Sequence, residues 1–202
     1  MHRNLIAILR GITSKEAPNV TEALIDAGIT QIEVPLNSLH PMETIDIMVK
    51  RYASYARIGA GTVLKIEDVD KLAEIGADMV ISPNMNKTVI MRTKHHNMMS
   101  CPGVMSPTEA FDALAAGADM LKLFPANILG PSGVKSLCAV LPKDITLAAV
   151  GGVEQGNLAQ WFQAGVKAFG IGSGLYKSGM TADDVGLIAR KLVIEYDTLM
   201  AK

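Results

Sequence analysis

The chain has 202 residues, of which 49% are apolar, 19% charged and 4% aromatic, a composition that excludes disorder and collagen-like repetition and suits one globular domain over residues 1–202. Nineteen basic against twenty acidic side chains leave a formal charge of -1, without the basic excess that phosphate-backbone binding requires, so no nucleic-acid partner is expected. No apolar run approaches the roughly 18 residues of a membrane span and the apolar stretch within residues 1–10 is too short for a secretory signal, so a cytoplasmic protein is expected, with reduced thiols at Cys101 and Cys138.

Along the chain, short runs of Ile, Val, Leu and Ala alternate with longer amphipathic stretches. Strands are predicted at 5–9, 30–35, 56–61, 78–82, 98–102, 120–125, 146–151 and 167–172. The first helix begins near Pro18, because a proline is costly inside one. Apolar residues spaced by three and four mark further helices, as in Asp68, Val69, Leu72, Ala73 and Ile75. Gly28, Gly76, Gly117 and Gly165 each follow such a stretch and lead into a strand, as a left-handed glycine does when it closes a helix. Ser106-Pro107-Thr108-Glu109 combines a hydroxyl cap, a proline at the first helical position and a glutamate in the first turn, while 127–132 reads as a loop. Eight strand–helix units of about 25 residues fit a compact (β/α)8 TIM barrel, α/β in class. An open doubly wound sheet would call for an early G-x-G-x-x-G, which Leu9-Arg10-Gly11-Ile12-Thr13 does not supply.

Barrel strands are buried on both faces and the chemistry of such barrels sits at the strands' C-terminal ends, so charges there demand a reason. Arg10, Glu33 and Lys122 stand out. If Ile32 and Val34 face the helices, Glu33 faces the axis; the same alternation turns Lys122 inward between Leu121 and Leu123. Burial beside a second cation such as Arg10 favours an uncharged amine, the form that attacks a carbonyl. Schiff-base chemistry follows, with the protonated imine as electron sink for the adjacent carbon–carbon bond and Glu33 as the carboxylate placed to move protons. A structural ion pair closing the barrel mouth fits the same two residues.

Val150-Gly151-Gly152-Val153 and Gly170-Ile171-Gly172-Ser173-Gly174 end the last two predicted strands, where barrels bind phosphate with backbone amides. Tight turns alone would also explain them. Gly59-Ala60-Gly61-Thr62-Val63 ends an earlier strand and sets Thr62 at the rim. None of the four histidines, His2, His40, His95 and His96, ends a predicted strand, so no metal is expected. Cys101 ends a strand without a histidine beside it in sequence and reads as a buried apolar residue.

Leu9-Arg10-Gly11-Ile12, Glu33-Val34-Pro35-Leu36-Asn37-Ser38, Gly59 to Leu64, Ser82-Pro83-Asn84, Cys101-Pro102-Gly103, Lys122-Leu123-Phe124-Pro125-Ala126 and Val150-Gly151-Gly152-Val153 occur in that order. As a set, nearly from end to end, they resemble the class I aldolases that cleave 2-keto-3-deoxy-6-phospho-sugar acids. The resemblance implies a cofactor-free enzyme acting on a small phosphorylated keto acid, with Lys122 as the Schiff-base lysine and Glu33 as the proton shuttle. It implies that Arg10 and Thr62 contact the substrate's acid end and hydroxyls, that Gly151, Gly152, Gly172 and Ser173 cradle the phosphate, and that the protein is a homotrimer. Gluconate-type members carry an arginine four residues after the catalytic glutamate and a threonine before the paired glycines. Here stand Asn37 and Val150, which implies the galactonate epimer, cleaved to pyruvate and D-glyceraldehyde 3-phosphate. The alternatives are an aldolase for the gluconate epimer or 4-hydroxy-2-oxoglutarate, or a non-covalent phosphate-barrel isomerase using Glu33.

Overall fold

Residues 3–201 are described in the computed structural model; His2, read above as no metal ligand, lies outside the described residues. The apolar runs become nine short parallel strands: β1 (Leu5–Ile8), β2 (Gln31–Pro35), β3 (Arg57–Gly61), β4 (Met79–Ile81), β5 (Met99–Cys101), β6 (Gly103–Val104), β7 (Met120–Leu123), β8 (Thr146–Val150) and β9 (Ala168–Ile171). Their order, β5-β4-β3-β2-β1-β9-β8-β7-β6, is a barrel cut at one point. The cut falls between two strands that adjoin in sequence. The expected strand 98–102 is thus two pieces, and the cause is Pro102, which has no N–H to give to a ladder. Its carbonyl still accepts from Lys122 N at 2.9 Å, so the wall closes beside Lys122 and the fold is the (β/α)8 barrel.

Eight helices alternate with the strands: α1 (Ala17–Ala27), α2 (Pro41–Tyr52), α3 (Ile66–Ile75), α4 (Lys87–His95), α5 (Pro107–Ala115), α6 (Ala126–Cys138), α7 (Leu158–Gln163) and α8 (Ala182–Met200). Helix α1 starts at Ala17, with Pro18 in its first turn, and stops at Gly28 (φ 96°), whose N–H returns to the carbonyls of Ile25 and Leu24. Ser106 accepts from Glu109 N while the Glu109 carboxylate accepts from Ser106 N, a complete capping box worth about 1 kcal/mol. The segment 127–132 is not a loop. It belongs to α6, which breaks at Gly130 (φ 65°, ψ 164°) and restarts at Pro131, because proline suits the first turn of a helix and disrupts its interior.

Two apolar layers follow from the period of two along the strands. Leu5, Ala7, Ile32, Val34, Leu121 and Leu123 face the helices and share one continuous core with them. Ile6, Met79, Ile81, Cys101, Met120, Ala148 and Ala168 point inward and plug the barrel. Two residues further along their strands come Ile8, Lys122, Val150 and Gly170, so the plug is the dry floor on which the next layer of side chains stands.

Candidate active site

At the C-terminal mouth a cavity of about 410 Å³ is lined by Ile8, Arg10, Phe124 and the loops carrying Val150 to Glu154 and Gly170 to Lys177. It gathers the sequence-predicted Arg10, Val150, Gly151, Gly152, Gly172 and Ser173. Glu33 and Lys122 are not among the lining residues but stand in the same layer as Ile8 and Val150, which are: Glu33 pairs with Ile8 in the β1–β2 register. Asn37 reaches the cavity through Arg10, whose Nη1 donates to the Asn37 Oδ1. Thr62 is not among the lining residues. It sits one residue beyond Gly61 with φ at 57°, an unusual conformation for a β-branched residue and one that marks a constrained turn.

Glu33 is 1% exposed and Lys122 is 6% exposed, as the alternation along their strands requires. The Lys122 Nζ lies 4.7 Å from the centroid of the Phe124 ring. Burial pushes the Glu33 carboxyl up to about 7, against the opposing pull of Lys122 and then Arg10. Among the described residues its Oε2 has no hydrogen-bond partner. The seat exists because residue 61 is glycine: a Cβ there would stand 1.6 Å from Glu33 Oε2. An acid that titrates near neutrality, with an unpartnered oxygen in a buried site, is equipped to take and return a proton. Cys101 shares this interior, and burial pushes its thiol up to about 12, which removes it as a nucleophile at neutral pH.

The glycine-rich end is built by backbone bonds. Gly151 and Gly152 hold φ of 100° and 75°, a pair of conformations that a side chain would strain. The Gly151 carbonyl accepts from Asn127 N at 3.1 Å and the Gly152 carbonyl from Asn157 Nδ2 at 2.8 Å. After β9, the Gly172 carbonyl accepts from the amides of both Leu175 and Tyr176. The two loops meet where a Cβ on Gly174 would fall 2.7 Å from Glu154 Cβ. Phe124, Glu154, Tyr176 and Lys177 were not singled out in the sequence. Phe124 was within reach, since it follows Lys122 by two and shares its face; Lys177 carried only the weaker signal of a cation four residues past Ser173.

The remaining polar clusters have other geometries. His96 Nε2 lies 2.8 Å from Asp70 Oδ1, and Asp70 also receives Arg92 at 2.6 and 3.0 Å; the two bonds, Arg92 first, hold the Asp70 carboxyl down at about 2. Cys138 is half-buried and, like Cys101, unbridged.

A buried lysine and a near-neutral carboxylic acid at the glycine-lined C-terminal mouth of a (β/α)8 barrel are the side chains that imine chemistry on a carbonyl compound calls for. The family model of KDPG and KHG aldolases matches residues 1–191, and the chain belongs to that family, whose members are class I aldolases. It is 48% identical over 199 residues to the probable 2-dehydro-3-deoxy-6-phosphogalactonate aldolase of Rhizobium meliloti, covering 98% of this chain and 94% of that one. The 2-dehydro-3-deoxy-6-phosphogalactonate aldolase of Escherichia coli is 48% identical over 192 residues, 95% of this chain and 94% of that protein. A solved structure described as native KDPGal superposes with a TM-score of 0.96 at 46% identity, over 98% of this chain and 96% of that one.

Proposed function

We propose that the chain cleaves 2-dehydro-3-deoxy-6-phosphogalactonate to pyruvate and D-glyceraldehyde 3-phosphate, with Lys122 as nucleophile and Glu33 as the proton shuttle. The observation that carries this reading is the buried pair itself: an amine and an acid on the barrel axis, the acid raised to about 7 with one oxygen unpartnered. Lys122 Nζ attacks the C2 carbonyl as the free amine, and protonated Glu33 gives its proton to the departing hydroxyl, so that water leaves and a protonated imine and the Glu33 carboxylate remain. Glu33 takes the proton of the C4 hydroxyl. The C3–C4 bond breaks, its electron pair passes into the imine to give an enamine, and the aldehyde departs. Glu33 then returns the proton to C3, and water releases pyruvate and the free amine while the proton set free goes back to the Glu33 carboxylate. Each transfer runs through a group whose pKa lies near the working pH, where proton relay is most effective.

The substrate lies with its phosphate on the Gly151-Gly152 and Gly172-Ser173 turns, which admit an anion to their amides. Its acid end meets Arg10 and its hydroxyls meet Thr62. Asn37 and Val150 set the epimer: Val150 lines the cavity and has no group to hydrogen-bond a hydroxyl, while Asn37 holds Arg10. The proposal includes a cytoplasmic homotrimer. Leu39, Leu64, Ile66, Met105 and Ile128 are exposed on loops and helix starts at the active-site end, an apolar rim of the kind that self-association covers. No described helix is long and apolar enough to cross a membrane.

The experiment is reduction with borohydride in the presence of pyruvate. A gain in mass of one reduced pyruvyl group on the peptide carrying Lys122 is expected, with none in Lys122→Met. An unmodified Lys122, or a label on another lysine, rejects the covalent reading.

A further inference from the structure

Arg10 projects from the mouth of β1 on a loop, and its aim depends on how the next peptide is held. Gly11 follows it with φ at 82° and is pinned through both of the peptide groups that meet at its Cα. Its N–H donates to Ser38 Oγ at 2.9 Å, and its carbonyl accepts from Ser178 Oγ at 2.9 Å. Arg10 and Gly11 thus bond to the consecutive residues Asn37 and Ser38 of the loop after β2. The second pin comes from the opposite direction, from the loop after β9, whose Ser173, Gly174, Tyr176 and Lys177 line the cavity. Ser178 is close enough that a Cβ on Gly11 would lie 3.3 Å from its Oγ. Ser178 is exposed and Ser38 half-buried, so neither hydroxyl needs a partner on account of its own burial, though Ser178 also faces the buried Tyr176 hydroxyl.

We propose that Ser178 and Ser38 are positioning residues for Arg10: by fixing the two peptide groups that flank Gly11 they hold the guanidinium at the acid end of the substrate, and they make the phosphate-side loop a support for the carboxylate-side cation. This rests on the reading of Arg10 as a substrate contact. Neither serine touches the reacting atoms. A guanidinium on a free loop samples many orientations and must be ordered at each binding event; one on a clamped peptide is ordered beforehand, which raises affinity with no new contact.

The test compares Ser178→Ala, Ser178→Thr, Ser38→Ala and Arg10→Ala, with Ser178→Ala also placed in the Arg10→Ala background. The readouts are the half-saturating pyruvate concentration for borohydride trapping, kcat for cleavage, and the urea midpoint. Ser178→Ala and Ser38→Ala are expected to raise half-saturation about three- to tenfold, the worth of one hydrogen bond, with kcat changed less. Ser178→Thr keeps the hydroxyl and restores the wild-type value. In the Arg10→Ala background Ser178→Ala adds nothing, since there is no guanidinium to aim. A full effect in that background, or a lowered urea midpoint with half-saturation unmoved, makes the serines merely structural and overturns the proposal while the aldolase reading stands. An Arg10→Ala variant with unchanged half-saturation removes Arg10 from the substrate's acid end and overturns this proposal with it, and trapping at Lys122 would still report on the covalent mechanism.

Discussion

The two mouths of the barrel hold cavities of similar size, about 390 Å³ at the N-terminal end and about 410 Å³ at the C-terminal end, and both contain charged side chains. At the N-terminal mouth one cation and one anion, Lys94 and Asp119, are matched. Lys94 Nζ lies 2.7 Å from both oxygens of Asp119, Asp119 also accepts from Ser100 N at 2.8 Å, and Gln31 donates to the Arg3 carbonyl at 2.9 Å. At the C-terminal mouth the deepest acid has an oxygen with no partner and is buried nearly completely. A polar cluster whose members satisfy one another holds the structure; one that leaves a buried group unsatisfied keeps it for something that arrives. Size and charge alone would not have told the two ends apart.

The largest expected effect is at the C-terminal end. Lys122→Met leaves a side chain of similar length and removes the nucleophile; aldol cleavage is expected to fall by at least about a thousandfold, measured in a coupled assay for released pyruvate. Activity within tenfold of wild type would mean that the buried amine is not the nucleophile.

Glu33→Gln is expected to lower kcat by about 10²- to 10⁴-fold and to do the opposite to stability. The native state holds a proton on Glu33 up to about pH 7, whereas an ordinary carboxyl releases it near 4.5. Between those values the folded chain binds more protons than the unfolded one, so stability is lost as pH rises through the window. The loss is on the order of 3 kcal/mol. Glu33→Gln therefore gains on wild type in urea unfolding at pH 8 and loses that advantage near pH 4.5. A gain of equal size at both values would mean that the strain is not electrostatic.

Val150→Thr is expected to raise kcat/KM for the gluconate epimer relative to the galactonate epimer by about tenfold, the contribution of one hydrogen bond to a substrate hydroxyl. Equal ratios in variant and wild type would take Val150 out of epimer choice. The smallest effect belongs to the other mouth. Asp119→Ala deletes a half-exposed ion pair with Lys94 and a backbone acceptor for Ser100, and should cost about 1 kcal/mol in urea unfolding with kcat unchanged. A large loss of kcat there would make the N-terminal end part of the chemistry after all.

Much of this was legible in the chain because it is governed by local period. The strands at 5–9, 30–35 and 120–125 sit where runs of apolar residues place them, within a residue or two of β1, β2 and β7, and alternation alone turned Glu33 and Lys122 inward. Pro102 interrupts its strand for a reason visible in the residue itself, yet whether the barrel would break there depended on the closing partner. The rise in the Glu33 pKa, the bond from Arg10 to Asn37 and the pins on Gly11 depend on which loops come together. That is set by tertiary packing and leaves no period to read. The kink in α6 at Gly130-Pro131 was signalled by two adjacent residues that also mark turns, and only the surrounding packing decides between a turn and a broken helix.

The absent side chain at Gly61 has a consequence for any survey of substitutions. The space its methyl would fill is already taken by the Glu33 carboxylate, so Gly61→Ala would evict an acid without altering any functional group. A residue with nothing to contribute chemically would then rank among the least replaceable in the protein, and its intolerance would measure how much of a working site is made of room.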